Sequence, residues 1–445
     1  MLSYKTHIKE TIKLSLPVSV GQLGHIAMGV VDSLMVGNLG SVPLAASALV
    51  NGLFFLVLVI GLGMSMAITP LVAIARGAKE YDDCGVVLRQ GIIVNVVTAF
   101  ILFLLVYFLS YAIKFFDQPY DVVVLAESYT RILAYSVFPF MIFQIYRQFL
   151  EGISDVHAPM YIAIAANIFN ALFNWILIYG KLGFEPMGLD GAGWSTFGTR
   201  SLMAMVLMYY VMTGGKYKQY DPSLSFRSIN KKIITKLISI GLPSGLQYFL
   251  EVAAFAFAAI MVGRIGAVNL AAHQIAVNLS SITYMIILGI SAAGTIRVGN
   301  AVGEKDITKT RRAGFTALAL AASVMTLFAV IFMIGKNILP TFYINEREVI
   351  TIASKLLIAA AMFQIFDGLQ ATSLGVLRGL TDVKIPMYFT FAAYWILGVP
   401  VGYYLAFKLG LNTIGIWIGF IISLSSLAVL LVFRFNKRSK SRIKN

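Results

Sequence analysis

The sequence predicts an all-α polytopic membrane protein: twelve transmembrane helices in two pseudo-symmetric six-helix bundles. Composition, run length and an internal repeat carry that reading. Of 445 residues, 59% are hydrophobic and only 12% charged, against about 25% charged in soluble domains. Apolar runs recur at the length a bilayer demands of a helix, about 20 residues. The second half repeats the first, so that Pro17, Gly37 and Gly40 meet Pro243, Gly263 and Gly266 at one constant offset.

The spans fall, in order, at 14–36, 44–75, 86–113, 122–150, 160–179, 192–211, 233–262, 270–298, 313–334, 349–377, 385–407 and 411–433. The first is too long for a signal segment and runs on into the second. Lys and Arg sort by side. The N-terminus, the even-to-odd loops with their span ends, and the C-terminus hold 26; the odd-to-even loops hold six, and Arg131, Arg200 and Lys355 lie inside spans. Positive residues stay cytoplasmic, so a multi-pass protein of the cell inner (plasma) membrane with both termini cytoplasmic is expected. The net charge of +15 is therefore topological, and the basic tail at 434–444 is read as lying by anionic headgroups rather than on nucleic acid.

The repeat continues through both halves. Leu44-Ala45-Ala46 meets Leu270-Ala271-Ala272, and, one residue later in register, Leu150-Glu151-Gly152 meets Leu377-Arg378-Gly379. Six spans per repeat give both halves the same orientation, as in transporters whose two bundles rock about a central cavity. The expected division is 1–215 for the N-terminal lobe, 216–232 for a cytoplasmic linker and 233–445 for the C-terminal lobe with its tail.

Three carboxylates stand alone in long apolar stretches: Asp32, Glu251 and Asp367. A charge there costs about 2.5–3.5 kcal/mol on insertion scales, so such residues are functional candidates. Span 1 sets Gln22, His25, Gly29 and Asp32 on one helical face. Pro17, near its start, removes a backbone bond and bends it. Span 5 carries Asn167, Asn170 and Asn174, and span 6 carries Ser195, Thr196 and Thr199. Their oxygens are hard ligands suited to Na⁺ beside a carboxylate, and equally ordinary interhelical bonds. Span 7 aligns Ser244, Gln247 and Glu251, span 8 aligns Gln274, Asn278 and Ser281, and span 10 holds Gln364, Asp367 and Gln370. A buried carboxylate exchanges a proton or holds Na⁺ as its surroundings change, which is the chemistry of a coupling site. Arg200 is expected to snorkel or to bond carbonyls. Phe255, Tyr284, Phe363, Phe366 and Tyr394 lie near the polar faces and could line a cavity for flat organic cations, although for each residue core or lipid contact is the better-supported reading.

Other chemistries lack their residues. The sole cysteine, Cys84, excludes an intrachain disulfide, the four His form no His-x-x-x-His pair, and no phosphate-binding Gly-x-x-x-x-Gly-Lys run occurs.

The run from Pro17 through Gln22-Leu23, Val31-Asp32-Ser33-Leu34-Met35-Val36-Gly37 and Leu44-Ala45-Ala46 resembles the first two helices of multidrug and toxic-compound extrusion (MATE) antiporters. Gly241-Leu242-Pro243, Phe249-Leu250-Glu251-Val252, Ala271-Ala272-His273-Gln274 and Phe366-Asp367-Gly368-Leu369-Gln370 extend the likeness through the second half, and the Glu251/Asp367 pair resembles the NorM-like branch. The resemblance implies export of small organic cations in exchange for Na⁺ or H⁺, with no other cofactor. It implies a coupling site at Glu251 and Asp367, with Na⁺ as a candidate ligand, supported by Gln247, Gln274 and Asn278. A second cation or proton site is implied at Asp32, Asn170, Asn174 and Thr196, where some members carry Asp at the position of Asn174. The substrate cavity is expected to use Gln22, His25, Phe255, Tyr284, Phe363 and Gln364. A monomer in the lipid bilayer is the expected state. Two readings stand beside this one: a lipid-linked oligosaccharide flippase, which needs several central cations where Arg200 alone is well placed, and an intramembrane enzyme, which needs a nucleophile or metal ligands the spans do not show.

Overall fold

The computed structural model describes residues 4–224 and 229–441. Residues 225–228 of the expected linker and 442–444 of the basic tail lie outside them. The helices run α1 (Tyr4–Gly37), α2 (Ser41–Ser65), α3 (Ile68–Gly77), α4 (Tyr81–Ala112), α5 (Tyr120–Tyr135), α6 (Val137–Gly152), α7 (His157–Tyr179), α8 (Gly188–Thr213), α9 (Lys231–Gly263), α10 (Ala267–Gly303), α11 (Ile307–Gly335), α12 (Arg347–Gly379), α13 (Lys384–Phe391), α14 (Val399–Tyr403) and α15 (Asn412–Ser441). No strand occurs among the described residues.

Twelve membrane crossings result once interrupted helices are joined. Prolines make two of the interruptions. Pro70 lacks the N–H that the Met66 carbonyl needs, and the chain breaks at Met66–Ala67 between α2 and α3. Pro139 does the same to Tyr135, and α5 gives way to α6 at Ser136. A third crossing, Lys384–Lys408, joins α13 and α14 through π-helical turns at Ala392–Gly398 and Tyr404–Lys408. Ten segments of the described residues, the joined α2–α3 and α13–α14 among them, are long and apolar enough to cross a membrane. The other two crossings are the broken α5–α6 pair and α8, a 26-residue helix interrupted by Asp190, Thr196, Thr199 and Arg200.

The repeat is visible in the backbone. Gly40 and Gly266 take φ of 119° and 146° before α2 and α10, conformations that favour glycine. Lys79 and Lys305 share a left-handed φ of 63° and 57°, as do Ser154 and Thr381 at 64° and 55°.

The compact units divide the chain differently from 1–215 and 233–445. One comprises Val20–Gly245; the other comprises Leu246–Asn445 together with the segment up to Ser19. Each boundary lies two residues past the proline inside α1 or α9. Glycine contacts explain the exchange. In the unit 20–245, a Cβ on Gly245 would come within 2.6 Å of the Ile60 carbonyl, and one on Gly63 would overlap Gly245 itself. In the other unit, a Cβ on Gly289 would lie 2.5 Å from the Ser15 carbonyl, and Ser19 Oγ donates to the Ile286 carbonyl at 2.9 Å. Gly63 and Gly289 are repeat mates, so the leading turns of α1 and α9 pack on equivalent helices of the opposite repeat. Within the second unit α10 and α12 also approach closely: Ser291 Oγ donates to the Ala371 carbonyl and Thr295 Oγ1 to the Gly375 carbonyl, each at 2.8 Å. Small residues and such hydroxyl bonds hold helices together where lipid supplies no hydrophobic drive.

Candidate functional site: buried carboxylates in each bundle

In the unit containing Leu246–Asn445, Glu251 and Asp367 are both buried. The Gln370 amide Nε2 donates to Glu251 Oε2 at 3.4 Å, and the Tyr284 hydroxyl donates to Oε1 at 3.5 Å. Gln370 stands one turn from Asp367 on α12, so the two acids lie at one level and within Coulombic reach of each other. Above them sits an aromatic layer. Phe255, four residues after Glu251, meets Phe363, four residues before Asp367, with centroids 6.0 Å apart. The two helices run antiparallel, so both rings stand about 6 Å to the same side of the acids. Phe420 stacks on Phe255 at 4.6 Å, and Trp417 meets Phe363 edge-on at 5.4 Å.

The polar wall around the acids is incompletely bonded. Gln247 Nε2, Gln364 Nε2, Gln370 Oε1 and the Tyr394 hydroxyl are buried without hydrogen-bond partners. Buried polar groups are ordinarily bonded. Two of these are oxygens, and with two carboxylates they form a set of hard donors that suits a small cation. Among the described residues, no ion pair joins Glu251, Asp367 or Asp32 to Arg, Lys or His.

Gln274 and Asn278 are placed elsewhere. Both are exposed on α10 and face each other, Nε2 to Oδ1, at 3.5 Å. The buried face of α10 carries His273, which accepts from Trp417 Nε1 at 3.1 Å, and Thr283, which donates to Gln364 Oε1 at 3.2 Å. Phe363 and Gln364 are buried in the packed interior, whereas Phe255 and Tyr284 are half-buried. Thr283 and Trp395 belong to this wall and had no distinct mark in the sequence; a hydroxyl or an indole in a membrane helix is too common to single out.

In the unit 20–245, Asp32 is half-buried and receives the Asn174 amide at 2.6 Å. The same amide reaches Asn170 Oδ1 at 3.4 Å, and Ser195 Oγ donates to the Asn170 carbonyl at 3.2 Å. Thr196 spends its hydroxyl on the Ala192 carbonyl one turn back. Three of the four residues named for this site, Asp32, Asn170 and Asn174, therefore meet between α1 and α7, and the α8 residue that joins them is Ser195 rather than Thr196. Arg200 neither snorkels nor bonds carbonyls, as the sequence reading had it. Its guanidinium lies between the Phe54 and Phe140 rings, at 5.2 and 5.0 Å, and donates to Ser136 Oγ at 2.8 Å. The break before α6 exposes that hydroxyl to it. Tyr129, buried on α5, carried no mark in the sequence. Gln22 and His25 are half-buried on α1, with the His25 ring edge-on to Phe143 at 6.3 Å. Glu151 lies one residue past the expected span 122–150. It is buried and pairs with Arg147 at 2.8 Å across one turn of α6.

Comparison with known proteins bears on this arrangement. The family model described as MatE matches residues 17–176 and 243–404. A Rhizobium meliloti protein named probable multidrug resistance protein NorM is 33% identical over 442 residues, spanning 97% of this chain and 94% of its own. Multidrug resistance protein MdtK of Yersinia pseudotuberculosis is 32% identical, spanning 98% and 96%. The crystal structure of the eukaryotic MATE transporter AtDTX14 superposes with a TM-score of 0.88 at 22% identity, over 99% of both chains. A MOP superfamily transporter from Pyrococcus furiosus superposes at 0.89 with 20% identity, over 99% of this chain and 97% of the other. At those identities the two structures speak for the fold.

Proposed function

The chain belongs to the MatE family, and on that premise we propose that it is a secondary antiporter that exports organic cations and drugs in exchange for Na⁺ or H⁺ by alternating access. The relatives named for multidrug resistance support the cargo class. The observation that carries the coupling site is the pair Glu251 and Asp367, buried at one level with orphaned oxygens around them and no fixed cation among the described residues. A permanent ion pair would lock such acids; here they are free to hold a small cation or proton, and to release it when cargo binds.

The coupling ion would sit between the two carboxylates, with Gln370 and Tyr284 orienting Glu251. Desolvated carboxylates bind a bare cation strongly, and a hydrated environment lets it go, so access to one side and then the other gives binding and release. One charge moving through 100 mV is worth about 2.3 kcal/mol, nearly fifty-fold in concentration. Asp32 with Asn170 and Asn174 forms a second polar centre, modulating its own bundle. The protein would work as a monomer in the inner membrane, and the Lys and Arg distribution supports both termini being cytoplasmic.

The flippase reading loses its one central cation, since Arg200 is taken up by two rings and Ser136. The enzyme reading lacks a metal cluster of three or more His, Cys, Asp or Glu among the described residues. Dye efflux from vesicles under an imposed sodium or proton gradient tests the proposal: efflux that follows one gradient supports it, and efflux indifferent to both overturns it.

A further inference from the structure

The polar wall contains a group that the coupling site as described does not use. Tyr394 is completely buried, and its hydroxyl has no hydrogen-bond partner. It lies in the π-helical turn Ala392–Gly398. Such turns are rare and widen the helix by one residue, turning side chains toward places a regular helix would miss. Two contacts fix where this turn points. The neighbouring Trp395 donates Nε1 to the carbonyl of Leu250 at 3.1 Å, the residue before Glu251. The Tyr394 ring meets Phe255 at 6.3 Å, one turn after Glu251. The turn therefore straddles α9 at the level of the carboxylate. Phe255 and Phe363 close the apolar side, and Tyr394 is within Coulombic reach of both acids.

We infer that the π-helical turn delivers the Tyr394 hydroxyl as an oxygen ligand for Na⁺ held between Glu251 and Asp367, and that this ligand makes the site answer to sodium. The inference rests on the coupling role proposed above for those two acids. A proton needs only one carboxylate oxygen. A sodium ion needs several oxygens, and the orphaned Tyr394 hydroxyl and Gln370 Oε1 complete a set that two carboxylates alone leave short. The other titratable groups facing the site are Tyr284 and Tyr248, and Tyr284 is already spent on Glu251.

The test is thermal unfolding of the purified protein titrated with NaCl against choline chloride, since a ligand that binds only the folded state stabilises it. Dye binding is measured alongside. Wild type should be stabilised by Na⁺, and Tyr394→Phe should raise the half-effect concentration about tenfold or more, the scale of one hydrogen-bonding group at a charge. Its melting temperature without sodium should be unchanged. An unchanged half-effect concentration in Tyr394→Phe, or stabilisation of wild type by acid alone and not by Na⁺, overturns the role of Tyr394 and leaves the coupling site standing. Sodium stabilisation that survives in Glu251→Gln and Asp367→Asn overturns the coupling site itself, and the Tyr394 inference with it.

Discussion

Gln370 binds Glu251 across two helices, its amide 3.4 Å from the carboxylate. That bond ties α9 at its acid to α12 one turn from Asp367. At 3.4 Å it is a long and therefore weak hydrogen bond.

Neutralising either acid should therefore stop transport without harming assembly. Glu251→Gln and Asp367→Asn are each expected to reduce dye export to the level of cells without the protein. Membrane content by immunoblot should match wild type. Full drug resistance in both variants would contradict the assignment.

The buried Arg147–Glu151 pair makes a stability prediction. Glu151→Ala leaves an unpaired guanidinium in the interior and should cost about 3–5 kcal/mol. Replacing both partners by Met and Leu should come within about 1 kcal/mol of wild type, because two desolvation costs vanish together. Denaturant unfolding in detergent reads both.

A pH effect should appear outside the membrane. Burial alone would push Asp155 up. The Lys216 ammonium at 2.7 Å, the Tyr217 hydroxyl at 2.6 Å and the Lys216 charge outweigh it and hold its pKa below the ordinary 3.8. Folding therefore favours the ionised form. That contribution is complete above the unfolded value and fades as pH falls from 3.8 through the lower folded value. Amide exchange at 153–156 and 215–220 should quicken over that window, and Asp155→Asn should remove the pH dependence.

Gly289 tests the exchange of helix segments. An added Cβ meets the Ser15 carbonyl at 2.5 Å and the Ser19 nitrogen at 2.8 Å. Gly289→Ala should destabilise by about 1–3 kcal/mol, as overpacking does. Gly52→Ala, in open space on α2, should instead stabilise by about 1 kcal/mol through helix propensity. Equal melting temperatures for the two would count against the packing described.

Much of this was readable from the chain. The apolar runs and the repeat specify the twelve crossings because the bilayer fixes both length and polarity. The solitary acids Asp32, Glu251 and Asp367 stood out because charge in hydrocarbon is costly. Depth was harder. Spacing placed Gln274 and Asn278 on one face of α10, but periodicity does not say which face turns inward; His273 and Thr283 take that place. Glu151 falls one residue past the expected span 122–150, and only packing shows it buried with Arg147. Pro17 was visible as a bend and Pro243 as its repeat mate. The transfer of the preceding turns to the other unit was not, since it depends on contacts at Gly63 and Gly289 between residues over 180 positions apart. The π-helical turn at Tyr394 left no signal, because one extra residue barely disturbs an apolar pattern.

The most direct measurement is equilibrium binding of a fluorescent cationic dye to the purified protein while the coupling ion is raised. Competition is expected, with dye affinity falling as Na⁺ or H⁺ fills the space beside Glu251 and Asp367, and the ion dependence vanishing in Glu251→Gln. Dye affinity that ignores both ions in wild type, or an ion dependence that persists without the carboxylate, would contradict the account.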